Sequence, residues 1–253
     1  MFKTVGLPNR PFTAGNGGRG RGSPRLPSDV YKRQPIGYVV LVIFYLFSGL
    51  FFNSYNLVAQ NTSMSSLFSS IVNLLGFLVP VLTMRLMSEE KKQRTDQLLL
   101  TSPVSLPGLV LGKLLSCYIV YVLMCSITLV YAVIMSSFGS PDWPVVISQF
   151  VGLLLLGLAL TAIGMFISSL TESQIIAVVG TYAIILLVTI ISSIAQIVPN
   201  ATVAAILNAI ALFQRYNSFS YGLLDFSNIV YFLSVAAFFV YLTIRVFEKK
   251  RWS

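Results

Sequence analysis

Six apolar stretches run along this chain, separated by short polar breaks. Each is close to the ~20 residues a helix needs to cross a bilayer. They cover roughly residues 36–55, 67–87, 109–135, 146–170, 174–198 and 226–247. The punctuation between them supports the division. Ser140-Pro-Asp-Trp-Pro144 reads as a turn between the third and fourth stretches. Thr171-Glu-Ser173 separates the fourth from the fifth, and Thr171 with Gln174 forms the T-x-x-Q pattern of a capping box opening the fifth. Pro80 lies inside the second stretch and predicts a kink there, which neighbouring helices can accommodate in a membrane. The pattern predicts an all-α integral membrane protein with six transmembrane helices.

Composition agrees. Of 253 residues, 56% are hydrophobic and 10% charged, against about 25% charged in soluble domains; the mean hydropathy is +0.82. The net charge of +9 invites a nucleic-acid reading, but its distribution rejects one. Residues 1–34 hold seven of the 17 Lys and Arg, which leaves ten basic and seven acidic residues in the remainder. That segment is rich in Gly and Pro with no hydrophobic period, so it is expected to be disordered. Ser23-Pro-Arg-Leu-Pro-Ser-Asp-Val-Tyr-Lys-Arg-Gln34 resembles a translated sequencing adapter, and residues 1–34 are expected to be a non-native tail.

Basic residues set the orientation. Arg85, Lys91, Lys92, Arg94 and Lys113 flank the second connection, and Arg245, Lys249, Lys250 and Arg251 end the sixth span; Arg215 stands alone on the other side. Both termini and the charged loop are therefore expected in the cytoplasm. On the outer side, residues 199–225 are expected to form short helices dipping into the outer leaflet. Tyr216, Phe219 and Tyr221 there suit an aromatic interface belt.

Candidate chemistry is sparse. Residues 115–140, 147–170, 174–213 and 227–243 contain no Asp, Glu, Lys or Arg, which argues against a proton relay. Sodium coupling through the carbonyls of broken helices remains open. The chain has no His, and Cys117 and Cys125 read as small apolar core residues. Gly108-Leu-Val-Leu-Gly-Lys-Leu114 falls one residue short of a phosphate-binding loop and lacks its Ser or Thr. Ser168 and Ser169 have no basic partner, and bonding to their own helix backbone accounts for them. No catalytic residue, cofactor site or metal site is expected.

What stands out is the charged loop. From Thr83 to about Leu100 it reads as a helix projecting from the membrane, with Glu90 and Arg94 in the favourable i,i+4 order and Lys92 and Asp96 in the weaker one. Leu98-Leu-Leu100 then places three apolar residues on a water-facing element, before Thr101-Ser-Pro103 breaks it. One reading is a solvated loop whose leucines fold back on the bilayer. The other is a docking helix whose Leu98 and Leu99 enter a pocket in a soluble partner, with the Glu172 turn as a second contact.

The run Met84-Arg-Leu-Met-Ser-Glu-Glu-Lys-Lys-Gln-Arg-Thr-Asp-Gln-Leu-Leu-Leu-Thr-Ser-Pro-Val-Ser105, followed by Gly112-Lys113, resembles the first cytoplasmic loop of ABC-2 type transporter permeases. Pro35-Ile-Gly-Tyr38 and Ser168-Ser-Leu-Thr-Glu-Ser-Gln174 match the same family, and within it the chain is most similar to the gliding-motility-associated permease subunit of Bacteroidota. The chain departs at Arg94, where many members carry Gly. The resemblance implies a type V exporter-like permease domain over residues 35–248, with a short basic tail at 249–253, in a bacterial inner membrane. It further implies a second permease copy or sister permease, and a separate ABC ATPase subunit that binds the ATP and Mg. Glu89, Glu90, Arg94, Thr95, Asp96, Leu98, Leu99 and Pro103, with Glu172, would form the ATPase-coupling surface. The alternative is a non-transporting scaffold or anchor of a motility or secretion complex.

Overall fold

The structure is a computed structural model that describes residues 35–92, 106–195, 197, 202–203, 207–208 and 211–252. The tail at 1–34 lies outside them. Pro35–Ser253 forms one compact unit, and every regular element among the described residues is helical.

Helix α1 (Pro35–Phe52) runs into a π-helical turn, Asn53–Val58. Its buried side chains Val40, Phe44, Ser48 and Phe52 recur every fourth residue, and Asn56 in the π turn continues the file. Tyr131 fixes this file from the neighbouring helix. Its ring stacks on Phe52 at 4.6 Å and its hydroxyl lies 3.1 Å from Ser48 Oγ. The chain returns through α2 (Ser65–Thr83), which is followed after one residue by the short α3 (Arg85–Lys92). Then come α4 (Leu106–Ser136), α5 (Trp143–Leu170) and α6 (Gln174–Ala195). The connection after α6 contains α7 (Leu212–Asn217) and a 3-10 turn, Ser218–Tyr221, before α8 (Phe226–Trp252). Six helical segments are long and apolar enough to cross a membrane, beginning at Gly37, Ser65, Leu106, Trp143, Gln174 and Phe226.

Burial ranks these helices. In the most apolar window of α5, 61% of residues are buried, and in that of α2 56%, against 17% for α8. So α5 and α2 form the centre, while α1, α6 and α8 turn most of their surface outward. Helix α5 packs against α2, α4, α6 and α8. Tyr121 and Tyr118 of α4 help to seat it by donating to the carbonyls of Leu153 (2.8 Å) and Leu154 (3.2 Å). Cys117 and Cys125 are free and buried.

A second, smaller core gathers Met87, Val110, Leu114, Ala162, Met165, Ala236 and Phe247. These residues come from α3, the start of α4, and the later parts of α5 and α8. Their meeting at one end of the bundle is what six antiparallel crossings require, and it is the end that carries the basic residues.

Two sequence expectations are corrected here. Thr171 and Gln174 do not form a capping box: Thr171 Oγ1 accepts instead from the Ser173 amide at 3.2 Å, a local turn. Tyr216 and Phe219 are 2% and 0% exposed, packed into the main core rather than lying in an interface belt. Tyr221 is 79% exposed.

Candidate functional site

The junction between α2 and α3, at the basic end, is tied by several hydrogen bonds among the described residues. Helix α2 stops at Thr83 although Met84 keeps helical angles, φ −53° and ψ −33°. Pro80 contributes an interior proline to the last turn of α2, and its carbonyl still accepts from the Met84 amide at 3.0 Å. The decisive group comes from another helix. Ser168, near the end of α5, accepts from the amides of both Met87 and Ser88 at 3.1 Å and donates to the Met84 carbonyl at 2.9 Å. In an uninterrupted helix those two amides would turn to the carbonyls of Thr83 and Met84. A foreign hydroxyl inserted into the ladder is a recognised cause of a break.

The surroundings allow the insertion. Ser168, Met87, Ser88 and Thr83 are all 0% exposed. One turn before Ser168, Gly164 lies so close to Thr83 that a Cβ there would overlap the threonine side chain. Thr83 is itself held, because its hydroxyl donates to the carbonyl of Val79 at 2.9 Å. Ser88 Oγ also donates to the Met84 carbonyl. From the far side, Lys113 Nζ at the start of α4 donates to the Leu86 carbonyl at 3.3 Å.

This corrects the reading of Ser168 as a residue bonded to its own helix. Ser169 follows that rule and donates to the Phe166 carbonyl at 2.6 Å. Ser168 reaches across to a different helix. Gly164 and Ser168 share one helix face at i,i+4, the one sequence sign of close approach that was present.

The projecting helix expected over residues 83–100 begins later than predicted, at Arg85, and its first turn packs against the bundle through the buried Met87 and Ser88; residues 93–100 lie outside the described residues. Glu89 and Glu90 lie on α3. Arg94, Thr95, Asp96, Leu98, Leu99 and Pro103 lie outside the described residues. Glu172 is exposed in the turn between α5 and α6, and α3 packs against both of those helices. The fold thus brings the Glu172 turn alongside the root of the charged loop.

At the opposite end, a cavity of about 370 Å³ opens between α2, α6 and α7. Ser69, Asn73, Thr189, Ser192, Gln214 and Asn217 give it a polar lining without a charged side chain. The α7 segment covers it. Leu212, Tyr216 and Phe219 anchor that segment in the core, and Gly222 ends the 3-10 turn with φ +77°. Burial raises the pKa of the Tyr216 hydroxyl, so it stays protonated. Arg215 turns away from the cavity, its guanidinium 4.2 Å over the Tyr231 ring and donating to Asn228 Oδ1 at 3.2 Å.

Among the described residues, no group of three or more His, Cys, Asp and Glu is placed to hold a metal ion. Six helices long and apolar enough to cross a membrane, with a buried joint at the basic end of the bundle, define a multi-pass membrane protein. Residues 52–247 match the family described as ABC-2 family transporter protein, and the chain belongs to that family. No curated protein matches it closely enough to count as a relative. As a membrane subunit of this family it has no catalytic role and binds no cofactor of its own; the ATP belongs to a separate ABC ATPase that works with it.

Proposed function

We propose that this chain is the permease subunit of an ATP-driven exporter and receives its power stroke through residues 85–108. The observation that carries this reading is the packing of α3 against α5 and α6, beside the Glu172 turn. One cytoplasmic partner can then press on the loop root and the turn together. Glu89, Glu90, Arg94, Thr95, Asp96, Leu98, Leu99, Pro103 and Glu172 form the coupling surface, with charges orienting the ATPase and Leu98 and Leu99 inserting into it. The permease acts as a pair with a second copy or a sister chain in the bacterial inner membrane. A gliding-motility role is the finer reading, resting on the similarity of the chain to that branch of the family rather than on the loop, which is a family-wide motif. The uncharged cavity under α7 supports a cargo that presents a neutral group, because an ion there would be desolvated without a partner.

The test is a pull-down of the ABC ATPase that works with this permease. Leu98→Asp combined with Leu99→Asp should insert into membranes normally and lose ATPase binding. Undiminished capture by the double variant refutes this docking site. ATPase turnover in the reconstituted complex with no transported species would favour a scaffold instead.

A further inference from the structure

We propose that Ser168 is the positioning residue through which movement of the charged loop reaches the outer face, with α5 as the rigid link between them. The proposal rests on the reading that an ATPase presses on α3, and it adds where that displacement goes.

A serine hydroxyl has one proton to donate and two lone pairs to accept with. Ser168 uses all three on α2 and α3: the Met87 and Ser88 amides and the Met84 carbonyl. Met87, Ser88 and Ser168 are fully buried, so water cannot take over the bonds to the two amides. Shifting or rotating α3 therefore either drags Ser168 with it or leaves buried polar groups unpaired, and the first costs less. Lys113 holds the Leu86 carbonyl from the other side and narrows the movements open to α3. Gly164 against Thr83 leaves no gap in which relative sliding can be absorbed.

Helix α5 then carries the displacement. It has no proline after Pro144, and it is the most buried of the six spans. From Ser168 back to Gln149 it extends about 29 Å at 1.5 Å per residue. Gln149 Nε2 donates there to Ser65 Oγ at 3.0 Å and to the Ser220 carbonyl at 3.4 Å. Gly152 lies against Phe219 so tightly that a Cβ would fall 2.7 Å from the ring. The inner end of α5 grips the loop root, and the outer end grips the segment that covers the cavity. Helix α2 is pinned to α5 at both ends, through Ser65 and through Met84. The α7 segment, carrying Gln214 and Asn217, should move when α3 moves.

Amide hydrogen exchange of the complex in nanodiscs, with the partner ATPase made hydrolysis-deficient, reads this directly. In the natural protein, MgATP should change exchange across residues 211–222. Ser168→Ala should bind the ATPase with unchanged affinity and exchange the Met87 and Ser88 amides about tenfold faster, the equivalent of one net hydrogen bond. Its response at 211–222 should fall to the ATP-free level. Ser168→Thr, which keeps the hydroxyl, should restore the response; a purely space-filling role would not discriminate in this way. Gln149→Leu covers the case in which Ser168→Ala fails to fold. It should keep Met87 and Ser88 protected while losing the outer response. A full MgATP response at 211–222 in either folded variant overturns the proposal. No response in the natural protein with the ATPase bound would instead refute the power-stroke reading beneath it.

Discussion

Substituting Gly164 by Ala tests the close approach of α5 to the α2–α3 junction. The added Cβ overlaps the Thr83 side chain, whose hydroxyl is tied to the Val79 carbonyl and whose surroundings are fully buried. Overpacking of this kind costs about 1–3 kcal/mol. Replacing Gly by Ala inside a helix returns about 1 kcal/mol of backbone entropy. The net expectation is a loss of about 0–2 kcal/mol. In a Thr83→Ala background the overlapping hydroxyl and methyl are gone and only the Cβ still crowds the site. There the same Gly164→Ala change should cost less, because only the Cβ contact at 2.7 Å remains to be relieved. The two substitutions should therefore couple, by about 0.5–3 kcal/mol, as contacting residues do. Cys117 and Cys125 supply the assay, because both are free and buried: a thiol-reactive dye fluoresces as the detergent-solubilised protein unfolds. Equal cost of Gly164→Ala in both backgrounds would mean that the helices do not meet at this point.

Cysteines placed at Glu172 and at Tyr221, both exposed, should label with a membrane-impermeant maleimide from opposite sides; labelling of both from one side would refute the six-span topology. Arg215→Met removes the guanidinium over Tyr231 and its bond to Asn228. It should destabilise the protein by about 1–2 kcal/mol, the scale of a partly desolvated cation–π contact, and Arg215→Lys should recover part of that loss in the same dye assay.

The six spans were legible in the sequence because the bilayer imposes a length and an apolar content that few other structures share. Lys and Arg placement carries the expected orientation, which the maleimide labelling above tests. The joint at Ser168 was not legible. A serine in a membrane helix most often bonds its own backbone, as Ser169, Ser192 and Ser193 do here. Only Gly164, one turn earlier on the same face, sets Ser168 apart from them, since its partners lie 80 to 84 residues away. Tyr216 and Phe219 were misplaced because hydropathy scores lipid and protein interior alike. Which apolar side chain faces which is decided by packing. The capping pattern at Thr171 failed because the helix starts at Gln174, which puts Ser173 at the cap position; Thr171 lies two residues too early, and its hydroxyl meets the Ser173 amide instead.

The single file that joins α1 to the bundle makes that helix vulnerable in an unusual way. Val40, Phe44, Ser48 and Phe52 hold it, while most of the remaining circumference meets no protein. A one-residue insertion between Val40 and Phe52 would turn the later members of the file by about 100° into lipid. Length, composition and the hydropathy profile would barely change. The lesion would be one of phase, invisible to any count of apolar residues, and it would unstack Phe52 from Tyr131.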